Sequence, residues 1–448
     1  MEDCSLVLIR LLRHPAVLLA ATLGVAVPAT GLVPAAPVTS GLPQASAAPA
    51  VTAKPTPKKK KKKPLPRYVF TFEGRGFGHG VGMSQYGAYG AARAGRTAKQ
   101  IIAHYYRGTA ITVLPVTPVR VLLGTRVRAV TLKAEGAWGV VAESNPLQVI
   151  RPLPAGVDVT VTQQGTAVLV SDSDGAELLR ADGPIRFAPT AAPTTTRFKG
   201  VRYRGVMRVI PAGTSFTVIN HIDLEQYLPG VVPREMPSKW GDDAPAAVEA
   251  QAIAARTYAM ATRRTSGDFD MYADERSQVY GGATAEDPRT SRAVAATAGQ
   301  VVTMNGQIVT TYFFSTSGGR TENVENIFRG GSPRSYLVSV RDAGFDAFSP
   351  HHVWRDPKSF TDGQLARLLG IPRPVLSTKV LERGASPRVK LIRFTARNGV
   401  VKEMRGTEVR KLLGLRDTWF VARKRLRTPA TLRLVAATQR LAEAAPPR

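Results

Sequence analysis

The sequence predicts an α+β fold: a mixed, β-rich core built around one buried, alanine-rich helix. Three observations lead there. Between residues 116 and 220, short apolar runs such as "AVTLKA", "TAVLVSD" and "SFTVIN" are separated by turn residues, the pattern of short strands. The stretch "DDAPAAVEAQAIAARTYAMATRR", residues 242–264, then reads as a single long helix. Strands and helices do not alternate as β-α-β units, and no internal repeat is visible.

Taken in order, folded structure is expected to start at "RYVFTFEG", whose alternating Tyr68, Phe70 and Phe72 mark a strand. "GRGFGHGVGMSQYGAYG" follows, with glycine at every second position from Gly74 to Gly82. Strict spacing of two, and Met83, exclude a dinucleotide fingerprint. The run is then either a ligand cradle or a place where two backbones approach closely. Thr97 and Gln100 form a capping box opening "AKQIIAHYYRG", with Gly108 as the stop. In the long helix Asp243 is the expected N-cap and Pro245 lies in the first turn. Ala247, Val248, Gln251 and Ala255 share one of its faces. Only Glu249, Arg256 and Arg263 form a charged strip, so the helix should be buried on most sides. Asn305-Gly306 is a hairpin turn. "TDGQLARLLG" reads as a helix and "VKLIRFTA" as a strand, while the basic, alanine-rich tail, 423–448, is expected to fray.

The two ends of the chain carry different signals. Residues 1–47 read as a signal peptide: Arg10 and Arg13 precede an apolar run, and Ala45-Ser46-Ala47 fits a cleavage site. The alternative is an uncleaved N-terminal anchor. Residues 48–66 form a Pro- and Lys-rich linker in which Lys58–Lys63 lie between prolines, so it should be extended and disordered. It is either a solvated spacer or a tether to an anionic wall or membrane surface. The protein is thus expected to be exported and extracellular or cell-wall associated. Its single cysteine, Cys4, precedes the cleavage point. That excludes a disulfide framework, a thiol nucleophile and a cysteine zinc site from the mature chain. A net charge of +28 calls for an anionic partner. No nucleic-acid-binding pattern is present, which leaves wall polymers and lipid head groups.

The chain has no G-x-S-x-G elbow, no H-E-x-x-H and no phosphate loop. One stretch stands out for chemistry: "DLEQYLPGVVPREMPSKW", residues 223–240, pinned by Pro229, Pro233 and Pro237. Proline limits the entropy its side chains have to lose. Glu235 lies among Pro233, Met236, Pro237 and Trp240. Apolar neighbours desolvate a carboxyl group and raise its pKa, as a general acid requires. The competing reading is a Glu that caps the next turn or pairs with Arg234.

"LEQYLPGVVPREMP", "AVEAQAIAARTYAM", "DERSQVYGG", "FFSTSGGRTENVENIF" and "MRGTEVRKLLGLRDTWF", in this order, resemble the stage II sporulation protein D and amidase-enhancer family (SpoIID/LytB). The resemblance covers residues 116–422. Relatives carry the GHGVGMSQ segment after the counterpart of "DTWF"; here it comes first. That implies a circular permutation, with residues 67–115 packing on the main domain. The resemblance further implies a lytic transglycosylase that cleaves the MurNAc–GlcNAc bond of peptidoglycan glycan strands and leaves 1,6-anhydro-MurNAc ends. Glu235 would serve as the single acid and base, with no carboxylate partner, unlike two-carboxylate glycosidases. It also implies substrate contacts from Gln251, Arg256, Gln278, Tyr280, Ser315, Ser317, Gly318, Gly319 and Thr321, and from His79 and Gln85 of the displaced segment. Arg256 has a second reading, an ion pair with Glu249. Some relatives bind zinc before "QVYGG"; Met271, Arg276 and Ser277 stand there here, so neither metal nor other cofactor is expected. The family also includes non-catalytic glycan-binding enhancers of a cell-wall amidase, which is the alternative function.

Overall fold

The structure, a computed structural model, describes residues 66–443 apart from 116 and 146. The signal peptide and all but the last residue of the linker, including Lys58–Lys63, lie outside the described residues.

The fold is α+β. Most of the β structure is antiparallel and lies in two larger sheets. One runs through Val119–Val127, Ser215–Ile222, Val206–Ala212, Ile185–Pro189 and Trp138–Ala142, with Met271–Tyr272 and Arg151–Leu153 on its edges. The other joins Glu177–Asp182, Ala167–Ser171, Val159–Gln164, Val130–Ala134, Thr196–Phe198 and Val201–Tyr203. The alternating patterns read from the sequence bury one side of these strands, as in Val159–Gln164, where Val159 and Val161 are inside.

The long helix, Pro245–Thr262, is buried on nearly all sides from Ala247 to Ala259. Its run of alanines leaves room for neighbours to come close. Pro245 is its first residue, where its missing N–H costs nothing. Asp243 is not its cap: Ala244 stands there, and Asp243 ends a short preceding turn and accepts from the Tyr89 hydroxyl at 2.6 Å. Arg256 does not join a surface strip with Glu249. It is fully buried and forked onto Glu225 at 2.7 and 2.8 Å.

A second hydrophobic core gathers Phe70, Phe72, Trp354, Leu365, Ile392, Phe394 and Phe420. Here the first strand, Tyr68–Gly74, lies between Lys358–Thr361 and Phe420–Leu426, antiparallel to both. The beginning of the described chain thus pairs with its last strand. Beyond Leu426 the tail does not fray directly: Pro429–Glu443 forms a helix. The Thr97 and Thr361 capping boxes and the Asn305-Gly306 hairpin turn are present; Asn305 and Gly306 have φ of 51° and 75°.

The glycine run is not a strand. Gly76, Gly78, Gly80 and Gly82 all have positive φ. At Gly82 (φ 77°) a Cβ would stand 2.0 Å from the Tyr312 carbonyl oxygen. The following helix, Gln85–Arg93, uses Gly90 in the same way: a Cβ there would stand 1.9 Å from the Phe345 carbonyl oxygen. Glycine in a helix usually gains stability on replacement by alanine. At Gly90 the sign should reverse, and Gly90→Ala is expected to cost about 1–3 kcal/mol through forced backbone shifts. Gly363, in the helix Asp362–Leu368, meets nothing within 4 Å. Gly363→Ala should instead be neutral or stabilising by up to about 1 kcal/mol. Urea titrations of both variants check this; a stabilised Gly90→Ala would contradict the close contact.

Candidate functional site

Glu235 is placed by a tightly wound segment. A 3-10 turn, Leu228–Gly230, runs into a single helical turn, Val232–Glu235, each with proline in its first positions. Met236 and Trp240 then enter the core. Tyr89 stacks on Trp240 at 4.4 Å, and Tyr86 meets its edge at 4.9 Å. The Gln85 amide donates to the Glu235 carbonyl at 3.1 Å and to the Gln251 side-chain oxygen at 3.4 Å. The glycine-rich segment therefore holds the backbone of Glu235 directly.

The Glu235 side chain is half-buried and opens onto a cavity of about 270 Å³. Five stretches of chain line it: Phe77–His79 with Gln85, Arg234–Glu235, Tyr258 of the long helix, Glu275 with Ser277–Val279, and Tyr312–Ser315. Arg410 closes it from the second core's side. Desolvation pushes the Glu235 pKa up to about 7, against a Val279 N–H bond and Arg234, which favour the charge; Glu275 adds to the rise. Met236 and Trp240 themselves turn into the core and do not line the cavity. A group poised near neutrality can give and take back a proton.

His79 is buried at the cavity wall. Its Nδ1 accepts from the Val81 N–H at 3.0 Å and its Nε2 donates to the Phe313 carbonyl at 3.0 Å, which fixes a neutral tautomer. Burial, then Arg410 and Arg388, hold its pKa down to about 3. The ring therefore offers an apolar wall, tilted against Phe314 at 5.3 Å, rather than a proton. Gln278 also lines the cavity, but its amide donates to the Ala255 carbonyl at 3.3 Å. Ser315 borders it with its hydroxyl beside that of Thr316.

The other expected contact residues are not brought to the cavity. Arg256 is consumed by Glu225 and by the Val294 and Gln300 carbonyls. Tyr280 is buried with its hydroxyl on Asn220 at 3.0 Å. Gln251 is fully buried behind Gln85; its Nε2 lacks a hydrogen-bond partner. The small-residue loop is a buried network. Ser317 donates to Asp342 and Asp346, the Gly318 N–H donates to Asp346, the Gly319 N–H to the Ser317 hydroxyl, and Thr321 braces Val340. Tyr105 donates to Asp342 as well. Burial and the neighbouring Asp346 push Asp342 up to about 7.

Two charged residues of the cavity, Glu275 and Arg410, were not foreseen, and neither was its aromatic lining of Phe77, Tyr258, Tyr312, Phe313 and Phe314. Glu275 is a second carboxylate on the same cavity, so Glu235 does not stand alone. Its only signal in the sequence is its place in "DERSQVYGG", beside the expected Gln278. Arg410 lies on the buried stripe of the helix Gly406–Leu413 with Val409 and Leu413. A cation at i, i+3, i+4 spacing among core residues was its readable signal. Among the described residues, no group of three or more His, Cys, Asp or Glu side chains is arranged to hold a metal ion. No described helix is long and apolar enough to cross a membrane.

Residues 212–304 match the family described as stage II sporulation protein. The chain is similar to stage II sporulation protein D of Bacillus subtilis, with 31% identity over 219 residues, 45% of this chain and 61% of that protein. It is also similar to an uncharacterized protein of Brachyspira hyodysenteriae, with 34% identity over 132 residues, 29% of this chain and 35% of that one. A third relative is the amidase enhancer of Bacillus subtilis, with 31% identity over 172 residues, 34% of this chain and 22% of that protein. The matched stretches span less than two thirds of each relative. No solved structure matches the chain.

Because a buried acid is destabilised by ionising, Glu235 opposes folding as pH rises from about 4.5, its unfolded value, through about 7. Glu235→Gln should therefore match wild-type stability below about pH 4 and exceed it above neutrality, by roughly 1–3 kcal/mol. Chemical denaturation across this range decides it. Equal stability at about pH 8 would mean the carboxyl group is not desolvated.

Proposed function

The chain belongs to the stage II sporulation protein D family, and we propose that it is an exported lytic transglycosylase acting on peptidoglycan glycan strands. The observation that carries this reading is Glu235, held on the wall of a cavity with a pKa pushed up to about 7.

In the proposed reaction the protonated Glu235 gives its proton to the glycosidic oxygen between N-acetylmuramic acid and N-acetylglucosamine. The C1–O bond breaks and positive charge develops at C1. The C6 hydroxyl of the same muramic residue attacks C1, and the Glu235 carboxylate takes up its proton. One carboxyl group starts and ends protonated, water is not consumed, and the product is a 1,6-anhydro end. Glu275 disfavours the ionised form of Glu235 through its own charge. The apolar faces of Tyr312, Phe313 and Phe314 exclude water from the developing ring charge.

Similarity to an amidase enhancer supports a second reading, in which the protein binds glycan and assists a separate cell-wall amidase without cleaving anything itself. We further read the N-terminal place of the glycine-rich segment as a circular permutation. What supports it is the antiparallel pairing of Tyr68–Gly74 with Phe420–Leu426. The lysine run, Lys58–Lys63, would tether the protein to an anionic wall or membrane surface.

Incubation with purified glycan strands, followed by mass spectrometry, separates the two functions. Anhydro-muramic ends should form with wild type and be lost, at least about a hundredfold, in Glu235→Gln. Because the acid must be protonated, turnover should fall as pH rises above about 7. Glycan binding without product in either protein would rule out the transglycosylase and leave the enhancer.

A further inference from the structure

Arg410 is a buried, charged cavity residue that the proposed chemistry does not use. Its side chain is only 5% exposed, and its Nε has no hydrogen-bond partner. Nearby anions are already engaged. Asp417, the carboxylate whose charge it feels most, is held through both oxygens by Arg388 at 2.9 Å each, and it also accepts from the Trp419 N–H. Glu408, two residues earlier on the same helix, turns to Arg329 and to the Arg405 N–H. Arg388 adds like-charge repulsion, and the neighbouring His79 is neutral with both ring nitrogens occupied. A buried guanidinium left without an anion is costly to keep. Here it lines a space that a ligand can enter, the Glu235 cavity.

We propose that Arg410 is the anion-recognition residue of this cavity and receives a carboxylate of the bound glycan. The proposal rests on the glycan reading above. On a glycan strand the matching group is the lactyl carboxylate of a muramic residue. A planar guanidinium matches a carboxylate with two parallel N–H···O bonds, which neither a hydroxyl nor an acetamide can accept in the same way. With Arg410 at one part of the cavity lining and Glu235 at another, a carboxylate anchored by the first would orient the sugar ring presented to the second. Arg410 is then a specificity-determining residue of the site.

The test measures binding calorimetrically, with the full-length Glu235→Gln protein to prevent turnover. The ligand is a muramic-acid-containing glycan fragment, compared with the same fragment after its carboxylates are converted to methyl amides. The free acid should bind at least about tenfold more tightly than the amide. Adding Arg410→Gln should bring the acid down to the level of the amide, and Arg410→Lys should retain part of the preference. Melting midpoints of the variants are recorded alongside. If Arg410→Gln does not fold, Arg410→Lys decides, because it keeps the charge and loses the fork. A preference that survives in a folded Arg410→Gln protein, a preference undiminished in Arg410→Lys, or no preference before Arg410 is changed, overturns the proposal. Cleavage of glycan without a carboxylate preference would sink Arg410's role alone. A carboxylate preference without any cleavage would sink the transglycosylase alone.

Discussion

The buried pair of Arg388 and Asp417 is the interaction on which the rest of the site depends. Arg388 is 1% exposed and Asp417 fully buried. The guanidinium spends its nitrogens on both Asp417 oxygens and on the carbonyls of Arg320 and Ser317, at 2.6 and 2.9 Å. One side chain thus ties the second core to the loop that carries Ser315. It also passes so close to Gly80 that a Cβ there would stand 2.4 Å from its Nε. A buried pair of this kind adds little stability over apolar packing, but losing one member leaves an uncompensated charge. Its use here is positional. It fixes the glycine run between two bodies of packing, and it occupies the carboxylate that Arg410 would otherwise take.

The glycine run follows from that constraint. A chain threaded between Arg388, Phe314 and the Tyr312 carbonyl has no room for Cβ atoms, and its backbone turns through positive φ at alternate residues. Threading it there brings His79 to the cavity wall and Gln85 to the Glu235 carbonyl. Past Gly74 the run is not a strand; it is a place of close backbone approach, and it carries Phe77–His79 along the cavity wall. Without Gln85, the carbonyl of Glu235 and the side-chain oxygen of Gln251 would each lose a donor.

Local chemistry was legible in the sequence where it depends on near neighbours. Glu235 could be found because its near neighbours in the chain, Met236 and Trp240, are apolar, and prolines fix the turn that presents it. The capping box at Thr97 was readable for the same reason. Arg256 was misread because its partner, Glu225, lies thirty-one residues away, whereas Glu249 merely shares its helix. Ser317, Gly318 and Gly319 look like a sugar-binding loop in isolation. Only the fold reveals that Asp342 and Asp346 claim their donors. Arg410 could be read as a buried helix residue from its spacing, but the cavity that it and Glu275 border is made by packing between distant segments, which no local pattern shows.

The two ends of the cavity respond to pH differently, and the reason lies in His79. Were this imidazole to protonate near its ordinary value, the wall beside Arg410 would carry two adjacent cations. Burial, Arg410 and Arg388 prevent that by holding its pKa down to about 3. The cationic end is then set by arginine alone, and its charge is constant over the whole physiological range. Glu235 instead titrates near 7. Raising pH through neutrality would leave the proposed anion recognition at Arg410 unchanged while removing the proton that Glu235 would donate. On the proposed reading, binding and proton transfer would thus fall to separate groups, and a ligand would be held at a pH where it is no longer cleaved.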